Sequence, residues 1–182
     1  EDFGILAGDA LLNYAYEVMT SAVCAASPEN MKNCAGAAAV IARKAGIFGM
    51  VGGQSLDVLL TDKPVNEKEM EFIFNLKTGA LIEAAFMAGA ILAGAGKECV
   101  SQLEKAGNLV GVAFQIKDDI LDVTSTQEVL GKPVFSDEKN NKTTYVTLYG
   151  MEKAAADVEN MSEKAESIVK SIGDNEFLIE LI

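Results

Sequence analysis

Residues 111–126 read GVAFQIKDDILDVTST and place Asp118, Asp119 and Asp122 in a run that is otherwise strongly apolar. On a helix advancing about 100° per residue, Asp122 lies about 40° and Gln115 about 60° from Asp118, with Asp119 about 100° away. One stripe therefore carries the carboxylates and the amide, and Gly107, Asn108 and Gly111 continue it upstream. Val112, Ala113, Ile116, Ile120 and Val123 form the opposite, apolar side, and Phe114 and Leu121 flank the stripe. A solvated face usually mixes signs and uses Lys and Glu, whereas this turn uses only aspartate, a poorer helix former. In a half-buried site, two carboxylates about 6 Å apart repel by about 3 kcal/mol. A divalent cation removes that penalty. Carboxylates that leave room for water and phosphate are the donors Mg²⁺ prefers.

The basic counterparts are few. Lys77 and Thr78 lie in FNLKTGALIEAA, an apolar helical stretch, where a lysine either snorkels to solvent or faces an anion. Thr78 and Gly79 beside it favour the anion. Lys132 follows the aspartate turn, and Lys142 lies in DEKNNKTTY. Singly, each is an ordinary surface lysine. Together they would ring a polyanion joined to the aspartates by metal, and a pyrophosphate fits that description. The sequence has no histidine, which excludes a Ser-His-Asp triad, a Cys-His dyad and a Cys/His zinc site within this chain.

The elements that must position these residues read as helices. The chain has 182 residues, enough for one domain with a real core. Ala, Leu, Met, Glu and Lys dominate, and no strand alternation runs beyond a few residues. Ser27 with Pro28 reads as the start of one helix, and Asn66 with Glu69 as the capping box of another. Residues 97–125 read as one long helix, and LGKPVFSDEKNNK as a polar loop. From Met151 onward the pattern is an exposed, charge-laced helix. Gly46, Gly49, Gly52 and Gly53 fall within a helical stretch; the first two suggest close helix packing, and the last two precede Gln54 and Asp57 and leave room for a ligand. The expectation is an all-α bundle of long helices over residues 1–182. A net charge of −12 argues against nucleic acid and anionic membrane surfaces as partners. No apolar run reaches the length of a transmembrane helix, and no membrane insertion is expected. Three cysteines without a CxxC pair read as reduced thiols in a cytoplasmic protein.

FQIKDDILD resembles the second aspartate-rich motif of the trans-prenyl diphosphate synthases, the farnesyl and geranylgeranyl diphosphate synthase family. ILAGDALLNYAYE, GMVGGQSLD, KTGALIEAA and LGKPVFSDEKNNKTTYV are similar to that family in the same order, so the resemblance covers nearly the whole chain. It implies an isoprenoid-synthase-type helical bundle around a deep apolar cavity, paired as a homodimer. It implies a Mg²⁺-dependent prenyltransferase that condenses an allylic diphosphate with isopentenyl diphosphate and releases pyrophosphate. Matched position by position, Asp118, Asp119, Asp122 and Asp137 hold the metal. Lys77, Thr78, Phe114, Gln115, Lys132 and Lys142 meet the diphosphate substrate. Gln54 and Asp57 belong to the helix that closes the site, with Asp57 a further metal ligand. Asp118, Lys77 and Lys132 carry the catalytic roles.

Two departures from the pattern stand out. Phe135 occupies a position where the family usually has glycine. The family's first aspartate-rich motif and its arginines have no counterpart here. The chain therefore reads as the C-terminal part of a prenyl diphosphate synthase, the alternative being a non-catalytic partner or regulatory subunit of one.

Overall fold

The structure, a computed structural model, describes residues 2–125, 143–173 and 175–182. Every regular element among these residues is a helix. The first three are α1 (Asp2–Ala25), α2 (Met31–Ala45) and α3 (Met50–Leu59). Next, α4 (Glu67–Ile73), a π-helical turn (Phe74–Gly79) and α5 (Ala80–Leu92) run on without a break. They are followed by α6 (Lys97–Thr124), α7 (Tyr145–Tyr149), α8 (Met151–Ile172) and α9 (Glu176–Leu181).

The helices stack side by side. α1 lies on α2, α2 on α5, α5 on α6, and α6 on α8. α6 is therefore the central element. Its apolar side enters a core of Met70, Ile73, Phe74, Ile116, Ile120 and Ala154, and a second cluster joins Ala106 to Ala165 and Val169. Ile116 has no exposed surface. Of the apolar side read from the sequence, Val123 is the exception: it is exposed.

Local signals explain most boundaries. Asn66 accepts from the Glu69 amide at 3.1 Å while the Glu69 carboxylate accepts from the Asn66 amide at 2.9 Å. This is the expected capping box, and it starts α4 by satisfying two otherwise orphaned donors. Ser27 behaves differently. Its hydroxyl donates to the Glu29 carboxylate at 3.2 Å, and its carbonyl accepts from the Asn30 and Met31 amides, so a turn precedes α2 and Asn30 takes the cap position. Gly46 and Gly49 lie in the turn between α2 and α3 rather than at a helix crossing. α8 is not merely a solvated helix: it buries Ala154, Ala165 and Val169.

One sequence expectation about membranes needs correction. The stretches Met31–Leu59 and Glu67–Leu92 are long and apolar enough to cross a bilayer by length and composition, with mean hydropathy 1.4 and 1.2. Each stretch carries a few charged residues, which break it into shorter uninterrupted apolar runs. The second stretch packs Met70, Ile73, Phe74 and Glu83 into the bundle.

Candidate active site

The π-helical turn sets the geometry. Lys77 Nζ donates to Asp57 Oδ2 on α3 at 2.5 Å. The next residue, Thr78, donates from Oγ1 to Gln115 Oε1 on α6 at 2.9 Å. Adjacent side chains on a helix point in different directions, so this turn fastens α3 on one side and α6 on the other. π turns are frequent at functional sites because they re-aim side chains within an otherwise regular helix.

Two glycines let the backbones come this close. A Cβ at Gly53 would stand 2.3 Å from the Lys77 backbone nitrogen, and one at Gly111 would stand 2.5 Å from Gly79 Cα. Gly53 thus admits the π turn itself. The room it leaves is taken by this backbone contact, not by a ligand.

A cavity of about 380 Å³ opens where these elements meet. Asp57, Lys77 and Gln115 line its polar part, and Leu60, Val65, Met70, Ile73 and Phe74 its apolar part. It therefore presents a cation and an amide next to a greasy wall. Thr61, Asp62, Lys63 and Thr143 complete the lining. These four were not foreseen: Thr61, Asp62 and Lys63 belong to TDKP, which signals only the end of α3, and Thr143 follows Lys142. Asp62 adopts φ 61°, a left-handed conformation that aspartate tolerates better than most residues. Gln54 is half-buried on α3 and does not line this cavity, and Phe114 is exposed on α6.

The aspartates divide into different environments. Asp118 is half-buried, while Asp119 and Asp122 are 5% and 3% exposed. Asp119 Oδ2 accepts the Tyr145 amide at 2.7 Å, so this acid caps the first turn of α7. Asp57 faces Lys77. Among the described residues, no group of three or more acids, cysteines or histidines is arranged to hold a metal ion. The donor set nevertheless fits Mg²⁺ in kind. Asp118 and Asp122 are carboxylates one turn apart, and magnesium commonly takes one or two carboxylates and completes its shell with phosphate and water. Asp119 has one oxygen accepting from the α7 backbone, and Asp57 one oxygen accepting from Lys77. Lys132, Phe135, Asp137 and Lys142 lie outside the described residues.

A polar network that the motifs did not suggest lies on the far side of Gly79. Glu83 is 7% exposed and accepts from Asn108 Nδ2 at 2.7 Å and from Lys44, which also donates to Glu104 at 2.7 Å. Asn108 donates in addition to Asn75 at 2.9 Å. Burial works against the Lys44 charge, but the hydrogen bonds to Glu104 and Glu83 outweigh it and raise its pKa above the ordinary value. The sequence carried one signal for this network: Glu83 is a lone acid within ALIEAAFMAGA. On α7, burial and the Asp157 carboxylate push the Tyr145 phenol up.

Comparison with known proteins gives this arrangement its class. The polyprenyl synthetase family profile matches residues 1–182, and the chain belongs to that family. It is 38% identical over 167 residues to the geranylgeranyl diphosphate synthase of Cyanophora paradoxa, covering 91% of this chain and 55% of that protein. It is 37% identical over 163 residues to the farnesyl diphosphate synthase of Geobacillus stearothermophilus, covering 87% of this chain and 54% of that one. Among solved structures, it is similar to the Helicobacter pylori geranyltransferase complexed with magnesium and isoprenyl diphosphate. The TM-score is 0.79 and the identity 28%, over 92% of this chain and 54% of the other. The chain spans about half the length of the relatives it matches. The expected all-α isoprenoid-synthase fold is therefore borne out.

Proposed function

We propose that the chain forms part of a Mg²⁺-dependent prenyltransferase that joins an allylic diphosphate to isopentenyl diphosphate and releases pyrophosphate. The observation that carries this reading is the convergence of Lys77, Thr78 and Gln115 beside a cavity with an apolar wall, in a member of the polyprenyl synthetase family. A prenyl diphosphate has the same two halves, an anion and a hydrocarbon. The magnesium bound with a geranyltransferase of similar fold supports the metal requirement.

In this reading, Lys77 donates to the diphosphate. Thr78 holds the Gln115 amide oxygen, so the NH₂ group is the half of the amide that meets an anion. Both act electrostatically on charge that grows on the departing pyrophosphate. Asp118, with Asp122 one turn away, would hold the metal, which when bound neutralises part of that charge. The apolar wall shields the allylic cation from water. The π bond of isopentenyl diphosphate then attacks it, and a proton is lost. None of this requires an enzyme nucleophile or a histidine, in keeping with the composition.

We read the site as built by Asp137, Lys132 and Lys142 as well, on the strength of the motif match alone. The working form is a homodimer in the cytoplasm, without nucleic-acid partners or membrane insertion. The large apolar area left exposed on α1 supports pairing. In its full-length form the protein is expected to release pyrophosphate from an allylic diphosphate and isopentenyl diphosphate only with Mg²⁺ present. Absence of product with every allylic chain length tried would refute the proposal.

A further inference from the structure

Asp57 sits one helical turn beyond Gly53 on α3, and this spacing connects two observations. Gly53 allows the α3 backbone to lie against the backbone of Leu76 and Lys77, where any Cβ would collide. Residues four apart share a face of a helix, so the same close approach carries Asp57 to the Lys77 side chain. Its carboxylate meets Nζ at 2.5 Å, with side-chain exposures of 18% for Asp57 and 32% for Lys77. Both residues line the 380 Å³ cavity.

A lysine has three N–H donors on a flexible four-carbon stem. Without an anchor, the ammonium would sample many positions around the cavity mouth, and fixing it on each binding event costs side-chain entropy. One N–H held by Asp57 leaves two donors pointing away from the carboxylate. We infer that Asp57 is a positioning residue, held in place by the Gly53 contact, which fixes the Lys77 ammonium so that its other donors meet a diphosphate oxygen. This rests on the diphosphate-binding reading above. It also gives Asp57 a role other than metal ligation. A metal ligand would act on the ion directly, whereas a positioning residue acts only through Lys77.

The test uses pyrophosphate with Mg²⁺ as the probe, by calorimetry, together with NMR relaxation at the Lys77 ε-methylene in the ligand-free protein. Asp57→Ala is expected to weaken pyrophosphate binding by about fivefold, as expected when one long side chain must be ordered on binding. It should also leave the Lys77 methylene mobile. Asp57→Asn keeps an acceptor at the same place and should restore most of both readouts. In a Lys77→Met background, Asp57→Ala should change pyrophosphate affinity by less than about twofold, because the two residues form one unit. Circular dichroism melting identifies any variant that fails to fold, and Asp57→Asn still tests the proposal in that event, since it should leave Lys77 ordered. The proposal is overturned if Lys77 is as ordered in Asp57→Ala as in the parent, or if Asp57→Ala tightens binding. It is also overturned if Asp57→Ala shifts the Mg²⁺ midpoint equally with and without Lys77. If the parent protein binds no pyrophosphate with Mg²⁺, the diphosphate reading falls and this inference with it. If the parent binds but Lys77 order is unaffected, only the inference falls.

Discussion

At the scale of single residues, the site joins a polar side chain to a neighbour that fixes it: Lys77 to Asp57, Gln115 to Thr78. In the full-length protein, Lys77→Ala and Lys132→Ala are each expected to lower turnover of allylic with isopentenyl diphosphate by at least about tenfold, or about 1.4 kcal/mol of transition-state stabilisation. Asp118→Ala should cost more, since it removes a metal donor rather than one charge. Lys153 is the control: it pairs with Asp157 at 2.6 Å on α8, away from the cavity, and Lys153→Ala should leave turnover within about twofold. Equal damage from Lys153→Ala would mean that general charge, not a pyrophosphate site, accounts for the lysines. That Asp57, Lys77 and Gln115 would lie close together was legible from the motifs, and they line one cavity. How they pair was not. A helical wheel gives the face a residue occupies on its own helix but not the side chain that meets it across a crossing. The wheel therefore did not reveal the contacts of Asp57 and Asp119, the first with Lys77 and the second with the Tyr145 amide of α7.

At the scale of elements, the long α6 and the capping box of α4 followed from local signals in the sequence. The π turn did not. FNLKTGA carries no pattern that announces the additional residue in its turn, which packs against α3 and α6. α8 was read as solvent-facing because its charges are dense. Its buried stripe is made largely of alanines, which carry little hydrophobic signal. The crossing of α6 over the π turn depends on Gly111. Gly111→Ala would drive a methyl group into the Gly79 backbone, which cannot move aside as a flexible side chain could. A loss of about 1–3 kcal/mol is expected in chemical denaturation. Gly4→Ala on α1, with nothing within 4 Å, should be neutral or stabilise by up to about 1 kcal/mol. Equal losses at both positions would show that the crossing is looser than described.

At the scale of the whole molecule, the fold class agrees with the family to which the chain belongs. α1 stands apart from the rest, because none of its residues is buried and Phe3, Ile5, Leu11 and Tyr14 are mostly exposed. An exposed apolar surface of that extent favours association, and light scattering at micromolar concentration is expected to report a dimer; a monomer would count against the pairing. The central claim, that these residues form a metal-dependent diphosphate site, is tested most directly by thermal melting with Mg²⁺ and pyrophosphate, singly and together. Ligands that bind only the folded state stabilise it by about 2.7 kcal/mol at a hundredfold excess over Kd, which for a chain of this size is roughly 5–10 °C. The account predicts a shift of that order with both ligands, a much smaller one with either alone, and loss of the synergy in Asp118→Ala. A melting temperature unchanged by the pair, or a shift that survives Asp118→Ala in full, would contradict it.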